Sequence, residues 1–127
     1  MAEQTAQFRF NAYKILDCSI SISEEIDISK QISINFEQTF GDITKGNEYR
    51  HTLVASIEDD NKALSIKVKA IGFFEFDNIP DEQMRMRFSS TNAPAILFPY
   101  VRAYISSLTA LSGISPITLP TLNLSKR

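Results

Sequence analysis

Cysteine and histidine occur once each in the 127 residues, as Cys18 and His51. A lone cysteine excludes an internal disulfide, and one cysteine with one histidine leaves a soft-metal site short of ligands unless several subunits contribute. Glycine (4) and proline (5) are sparse. With no low-complexity segment and no repeat of solenoid length, nothing marks a linker, and one domain over residues 1–127 is expected. Neither sign of charge dominates: 13 basic and 15 acidic side chains are mixed along the chain, for a formal net charge of -2. That is no footprint for nucleic acid or an anionic membrane. No apolar run approaches the ~20 residues that span a bilayer. The opening MAEQTAQFRF has neither the basic nor the apolar region of a signal peptide. A reducing, cytoplasmic setting without membrane insertion is the expectation.

What is present is alternation. Over residues 8–22 the even positions Phe8, Phe10, Ala12, Lys14, Leu16, Cys18, Ile20 and Ile22 face Arg9, Asn11, Asp17, Ser19 and Ser21 on the odd ones, a period of two that predicts a half-buried strand. Ile28, Ile32, Ile34 and Phe36 continue it in a second segment. Turn signals at Gly41-Asp42 and Lys45-Gly46-Asn47 precede Tyr49, His51, Leu53, Ala55 and Ile57, and an acidic turn leads into Leu64, Ile66, Val68 and Ala70. Short turns favour an antiparallel sheet, because parallel crossovers need a dozen or more residues.

The last third differs. From residue 88 to 124 the only charged side chain is Arg102. Asn92 suits an N-cap and Pro94 a first turn, whereas Pro99 would break a helix begun that early. The main helix is therefore expected from about residue 98, with Tyr100, Val101, Tyr104, Ile105, Leu108 and Leu111 as a wide apolar stripe and Gly113 as its stop. A helix of this length is ~21 Å long and ~10 Å wide, against ~20 Å across four strands, so it covers about half of the apolar sheet face. Exposed apolar patches of that size mark interaction sites. The nearly uncharged back of the helix suggests that it is sandwiched between its own sheet and another subunit.

Catalysis has little to stand on. His51 and Cys18 fall at apolar-face strand positions, and Asp59-Asp60 and Glu24-Glu25 read as solvated turn charge. Ser106-Ser107 has no nearby base, and no phosphate-cradling glycine motif occurs. Phe73 and Phe74 point to opposite faces, so one of them should be poorly covered.

The segment Pro94-Ala95-Ile96-Leu97-Phe98-Pro99-Tyr100-Val101-Arg102 resembles the helix-entry signature of the SecB family of export chaperones, C-P-x-x-L-F-P-Y-A-R, with Ala93 in place of the cysteine and Val101 in place of the alanine. The likeness extends to Leu119-Pro120-Thr121-Leu122-Asn123-Leu124 and, less closely, to Gly72-Phe73-Phe74 and Ile32-Ser33-Ile34-Asn35-Phe36-Glu37. The resemblance implies an α+β fold in which a four-stranded antiparallel Greek-key sheet carries one main helix on one face. It also implies a dimer of dimers whose helices, through Tyr100, Val101, Tyr104, Ile105, Leu108 and Leu111, meet in the centre.

Its implied partners are unfolded polypeptide clients and a SecA-type motor, with no cofactor. Client contact falls on Ile32, Ile34 and Phe36, supported by Phe73 or Phe74; the alternative is that the strand residues are core beneath the helix. Of the family's acidic motor-docking patch Asp17 remains, while Ser21 and Lys67 stand where two other acids are usual. The sequence stops at Ser125-Lys126-Arg127, so a C-terminal helix, an acidic tail and a lid over the groove are expected to be wanting. Two functions fit: a general holdase for unfolded or preprotein clients, and a dedicated chaperone of one partner such as an antitoxin. A small thioesterase-like enzyme is disfavoured by the lack of catalytic groups.

Overall fold

The computed structural model describes residues 8–41, 47–78 and 80–120. Four strands, β1 (Phe8–Ile22), β2 (Ile32–Phe40), β3 (Glu48–Asp59) and β4 (Leu64–Phe76), form one antiparallel sheet in the order β1-β4-β3-β2. Three successive strands are joined by hairpin connections, and β1 lies beside β4, as in a Greek key. The helical part runs through α1 (Glu82–Arg87), a π-turn (Phe88–Asn92) and α2 (Ala93–Leu111). The α+β fold of a four-stranded sheet under one main helix is thus as expected. Of the expected turns, 42–46 lies outside the described residues.

Strand alternation sets the core. On β3 and β4 every second residue is buried, from Tyr49 to Ile57 and from Leu64 to Phe76. These meet Leu97, Phe98, Val101 and Ile105 of α2, together with Leu119. A second, aromatic cluster closes one end of the sheet: Phe88 of the π-turn lies edge-on to Phe8, Tyr49, Phe74 and Phe76 at centroid distances of 4.6 to 5.6 Å. The outer strands are less covered, with Tyr13, Ile22, Ile32 and Phe40 37 to 50% exposed. One helix on four strands leaves the sheet edges open, as the widths require.

Three expectations need correction. Strand β1 does not keep a single period: its register against β4 shifts between Phe10 and Ala12 and between Ile15 and Asp17. Each bulge inserts one residue and exchanges the two faces. Tyr13 and Ile15, not Ala12 and Lys14, therefore lie over Gly72 and Ala70 on the helix side, which removes the oddity of a lysine on an apolar face. Second, β2 begins at Ile32 rather than Ile28, and Ile28 belongs to the crossover from β1.

Third, α2 starts at Ala93 and passes through Pro99. A mid-helix proline withdraws one N–H and crowds the carbonyl four residues back. Pro99 and Ala95 are both exposed, so the unpartnered carbonyl faces water. Asn92 makes no side-chain cap. The cap is Asp81 of α1, which accepts the Met84 N–H at 2.8 Å. The expected stop holds: Gly113 has φ +91, with Ile114 N–H bonded to Thr109 O at 3.3 Å and Gly113 N–H to Ala110 O at 3.2 Å, the paired bonds of a Schellman motif.

Candidate functional site

Three segments meet at the end of the sheet where β2 and β4 begin. The crossover brings Ile28, Ser29 and Lys30 to the start of β2 at Ile32, Leu64 opens β4, and the chain leaving α2 returns through Ile114, Ser115, Pro116, Ile117 and Thr118. Between them lies an open groove of about 470 Å³, within the ~300–1,000 Å³ common for ligand sites. Its walls are largely aliphatic, and among the described residues that line it Lys30 alone is charged.

The walls are held by polar contacts that the sequence reading did not assign. Asp59, expected to be solvated turn charge, is 2% exposed. Its carboxylate accepts the N–H groups of Ser29 (2.7 Å), Ala63 (2.7 Å) and Leu64 (2.8 Å), tying the crossover to the β3–β4 turn. Burial by itself would raise this carboxyl, but the N–H donors of Ser29, Leu64 and Ala63 outweigh it and hold the group below its ordinary range. An Asp at a strand end before a turn-forming Asn61 was the available signal.

On the far wall, Ser106 Oγ–H donates to Ile117 O at 2.9 Å, and Thr109 Oγ1 accepts Ile117 N–H at 2.9 Å. Part of the uncharged helix surface assigned to a second subunit is thus used by the chain itself.

Of the expected client residues, Ile32 is 37% exposed and lines the groove. Ile34 and Phe36 continue the same face of β2, half-buried against the core. The Phe36 ring meets Phe98 edge-on at 5.4 Å. Phe73 and Phe74 separate as alternation requires. Phe74 is 1% exposed in the aromatic cluster and has no surface for a client. Phe73 is half-buried on the opposite sheet face, remote from the groove.

The expected interface residues also divide. Val101 and Ile105 are fully buried against their own sheet, so neither is free for another subunit. Tyr104 and Leu108 are half-buried, and Tyr100 and Leu111 are 41 and 87% exposed. The Tyr100 ring packs at a tilt against Tyr13 of β1 at 4.6 Å and against Phe10 at 5.4 Å, an aromatic ledge between helix and sheet edge. Asp17 stands on the outer sheet face opposite Lys69.

His51 is fully buried. Its Nε2 lies 2.8 Å from Gln38 Oε1 and its Nδ1 2.9 Å from the Tyr49 hydroxyl. A neutral ring that donates to the Gln38 oxygen accepts the Tyr49 proton, so both nitrogens are satisfied without charge. Burial pushes His51 down to about 4. Burial likewise raises the Tyr49 hydroxyl to about 12, against smaller opposing effects of Ser89 and Gly41. This is a structural chain between β2 and β3, not a base poised for proton transfer. Among the described residues no cluster of three or more metal-ligating side chains occurs, and no helix is long and apolar enough to cross a membrane.

A Greek-key sheet carrying one long helix on one face, with an open apolar groove at one end, defines a class of small α+β proteins. Within that class the chain belongs to the SecB family: the family model for preprotein translocase subunit SecB matches residues 2–126. Among curated relatives, the protein-export protein SecB of Burkholderia vietnamiensis is 32% identical over 101 residues, 80% of this chain and 59% of that protein. An uncharacterised protein of Methanocaldococcus jannaschii, MJ0357, is 45% identical over 58 residues, 46% of this chain and 37% of that protein. The chain thus spans between roughly a third and three fifths of the length of these relatives.

Among solved structures, the Mycobacterium tuberculosis Rv1957 SecB-like chaperone, in complex with a ChAD peptide from the Rv1956 HigA1 antitoxin, superposes with a TM-score of 0.75 at 15% identity. The match covers 91% of this chain and 88% of that one. A Streptococcus agalactiae protein of unknown function gives a TM-score of 0.62 at 12% identity, covering 92 and 99%. Both share the fold.

Proposed function

We propose that this protein is a cytoplasmic holdase chaperone that keeps polypeptide clients unfolded, without a catalytic step of its own. The observation that carries the reading is the aliphatic groove at the end of the sheet, open beside Ile28, Ile32, Ile114 and Ile117. Each large apolar client side chain buried there contributes ~1.5–3 kcal/mol. A few such contacts give reversible holding, and an apolar groove with one charged rim residue discriminates little between sequences. Ile34 and Phe36 extend the apolar path along β2, while Phe73 and Phe74 take no part.

The working form is an oligomer, assembled on Tyr100, Tyr104, Leu108 and Leu111 with the β1 edge residues Tyr13 and Leu16. Docking to a SecA-type motor is weak, because Lys69 faces Asp17 across the strands and Lys67 adds a second positive charge. The test is suppression of aggregation of a chemically unfolded client at equimolar protein. Full suppression by the wild type is expected, and its absence at tenfold excess rejects the reading.

The antitoxin peptide bound by the SecB-like chaperone of matching fold supports a second reading, that this protein serves one dedicated client. Identification of the chains bound to the protein in its native cytosol separates the two. Many unrelated chains support the general holdase, and a single chain encoded beside this protein supports the dedicated one.

A further inference from the structure

The sheet has two outer strands, and they are not equally guarded. An edge strand shows unpaired N–H and C=O groups, and soluble proteins blunt such an edge with bulges, prolines or charges. Strand β1 has two bulges and carries Arg9, Lys14 and Asp17. Strand β2 pairs with β3 over nine residues without a shift, has no proline, and carries a single charge, Glu37.

The bonds at the two ends of β2 set which of its groups are free. Asp60 N–H donates to Gln31 O at 3.0 Å, and Gly41 N–H donates to Arg50 O at 3.1 Å, so the odd residues of β2 exchange bonds with β3. Ile32, Ile34, Phe36, Gln38 and Phe40 therefore turn their N–H and C=O groups out of the sheet. No other segment among the described residues bonds to them.

The side chains of this edge are complementary to themselves. Two antiparallel copies related by a two-fold axis at Phe36 set Ile32 opposite Phe40 of the second copy, Ile34 opposite Gln38 and Phe36 opposite Phe36, all on the helix side. Ile32 and Phe40, 37 and 50% exposed, then cover one another at both ends of the pair. On the outer face Ser33 meets Thr39 and Asn35 meets Glu37, so the one charge of the strand never faces its copy. A shift of two residues in one direction sets Glu37 against Glu37, and the opposite shift leaves Phe40 unpaired.

We propose that β2 is a self-docking edge, pairing antiparallel with β2 of a second copy in this register. Because the other edge is bulged, the two-fold contact closes on two copies and does not propagate. Phe40 of the second copy then stands at Ile32, on the rim of the groove, so the groove wall draws on two chains. The pair rests on the oligomer proposed above: nine residues bury far less than the ~1,200 Å² of a stable interface, so it forms between subunits that the helix side already joins.

The reporter is Ser33→Cys/Thr39→Cys in a Cys18→Ser background. Both positions are exposed, and the two-fold register sets them opposite each other at a separation suited to a disulfide. Mild oxidation of the folded protein should give covalent dimers. Either single variant should give them at least about tenfold more slowly, because each position lies far from its own copy in this register. Adding Asn35→Glu, which meets Glu37 twice across the pair, should slow the cross-link by about tenfold at low salt, and adding Asn35→Lys should not slow it. Melting temperatures should stay unchanged. Absence of covalent dimers from a protein that is oligomeric by light scattering would overturn the strand pair and leave the oligomer standing. Single variants that cross-link as fast as the double, or equal rates with Asn35→Glu and Asn35→Lys, would overturn the register. A monomeric wild type would overturn the oligomer and the strand pair with it.

Discussion

At the scale of single residues, Phe73 and Phe74 look alike in the sequence and differ in everything that follows. Phe74 lies in the aromatic cluster with Tyr49 and Phe88, so Phe74→Ala should cost about 3–5 kcal/mol in denaturant unfolding. Phe73→Ala loses exposed cation–π contacts with Lys14 and Arg50, of about 0.5–1 kcal/mol each, and should leave the fold intact. Their opposition was legible from alternation, but which of the two was covered was not. That depended on Phe88, held in a π-turn that no periodicity announces.

His51 was legible as buried, and its hydrogen-bond partners were not, since Gln38 reaches it from another strand. Because its folded pKa is lowered to about 4 from 6.5, the unfolded chain binds more protons between those values. Stability is full above about pH 6.5 and falls as the pH drops towards 4, by roughly 2–3 kcal/mol. Urea midpoints measured from pH 7.5 to 4 should show this slope, and His51→Gln should flatten it.

At the scale of elements, all four strands and the helix stop at Gly113 could be read from pattern. The errors lie where backbone geometry departs from a fixed period. Bulges in β1 exchange its faces without altering composition, and Pro99 is tolerated inside α2 because the carbonyl it crowds faces solvent. Helix α1 was missed although Asp81 with Glu82, and Arg85 with Arg87, are cap and charge signals, because six residues fall below the length at which period is convincing. The segment after α2 has no repetitive structure, yet it forms a groove wall, held by Ser106 and Thr109. Replacing both, as Ser106→Ala/Thr109→Val, should leave the Ile117 backbone groups unpaired, at about 1–3 kcal/mol for each one that stays buried. Hydrogen exchange at the Ile117 amide should quicken by at least about tenfold while β3 and β4 stay protected. Unchanged exchange at Ile117 would show that the segment is held by its apolar contacts alone.

At the scale of the whole molecule, the mismatch between one helix and four strands was visible in the sequence and leaves the outer strands open. Where the surplus would gather was not visible, because the groove is assembled from residues 28–32, 64 and 114–118, distant in the chain and brought together by the contacts of Asp59, Ser106 and Thr109. Tyr13, Leu16, Tyr100 and Leu111 are 39 to 87% exposed, and the oligomer proposed above would cover them. Light scattering should give a mass at least twice the 14.3 kDa of one chain, and Tyr100→Glu/Leu111→Glu should reduce it to the monomer.

The central claim concerns the groove. The variant that tests it is Ile28→Ser/Ile32→Ser, which removes apolar wall at the rim and spares the buried residues of the sheet. The measurement is light scattering from an aggregating unfolded client, with thermal melting of each chaperone run alongside. The groove account predicts that the variant melts within a few degrees of the wild type and loses most of its protection. A variant that keeps its melting temperature and still protects the client fully would contradict it.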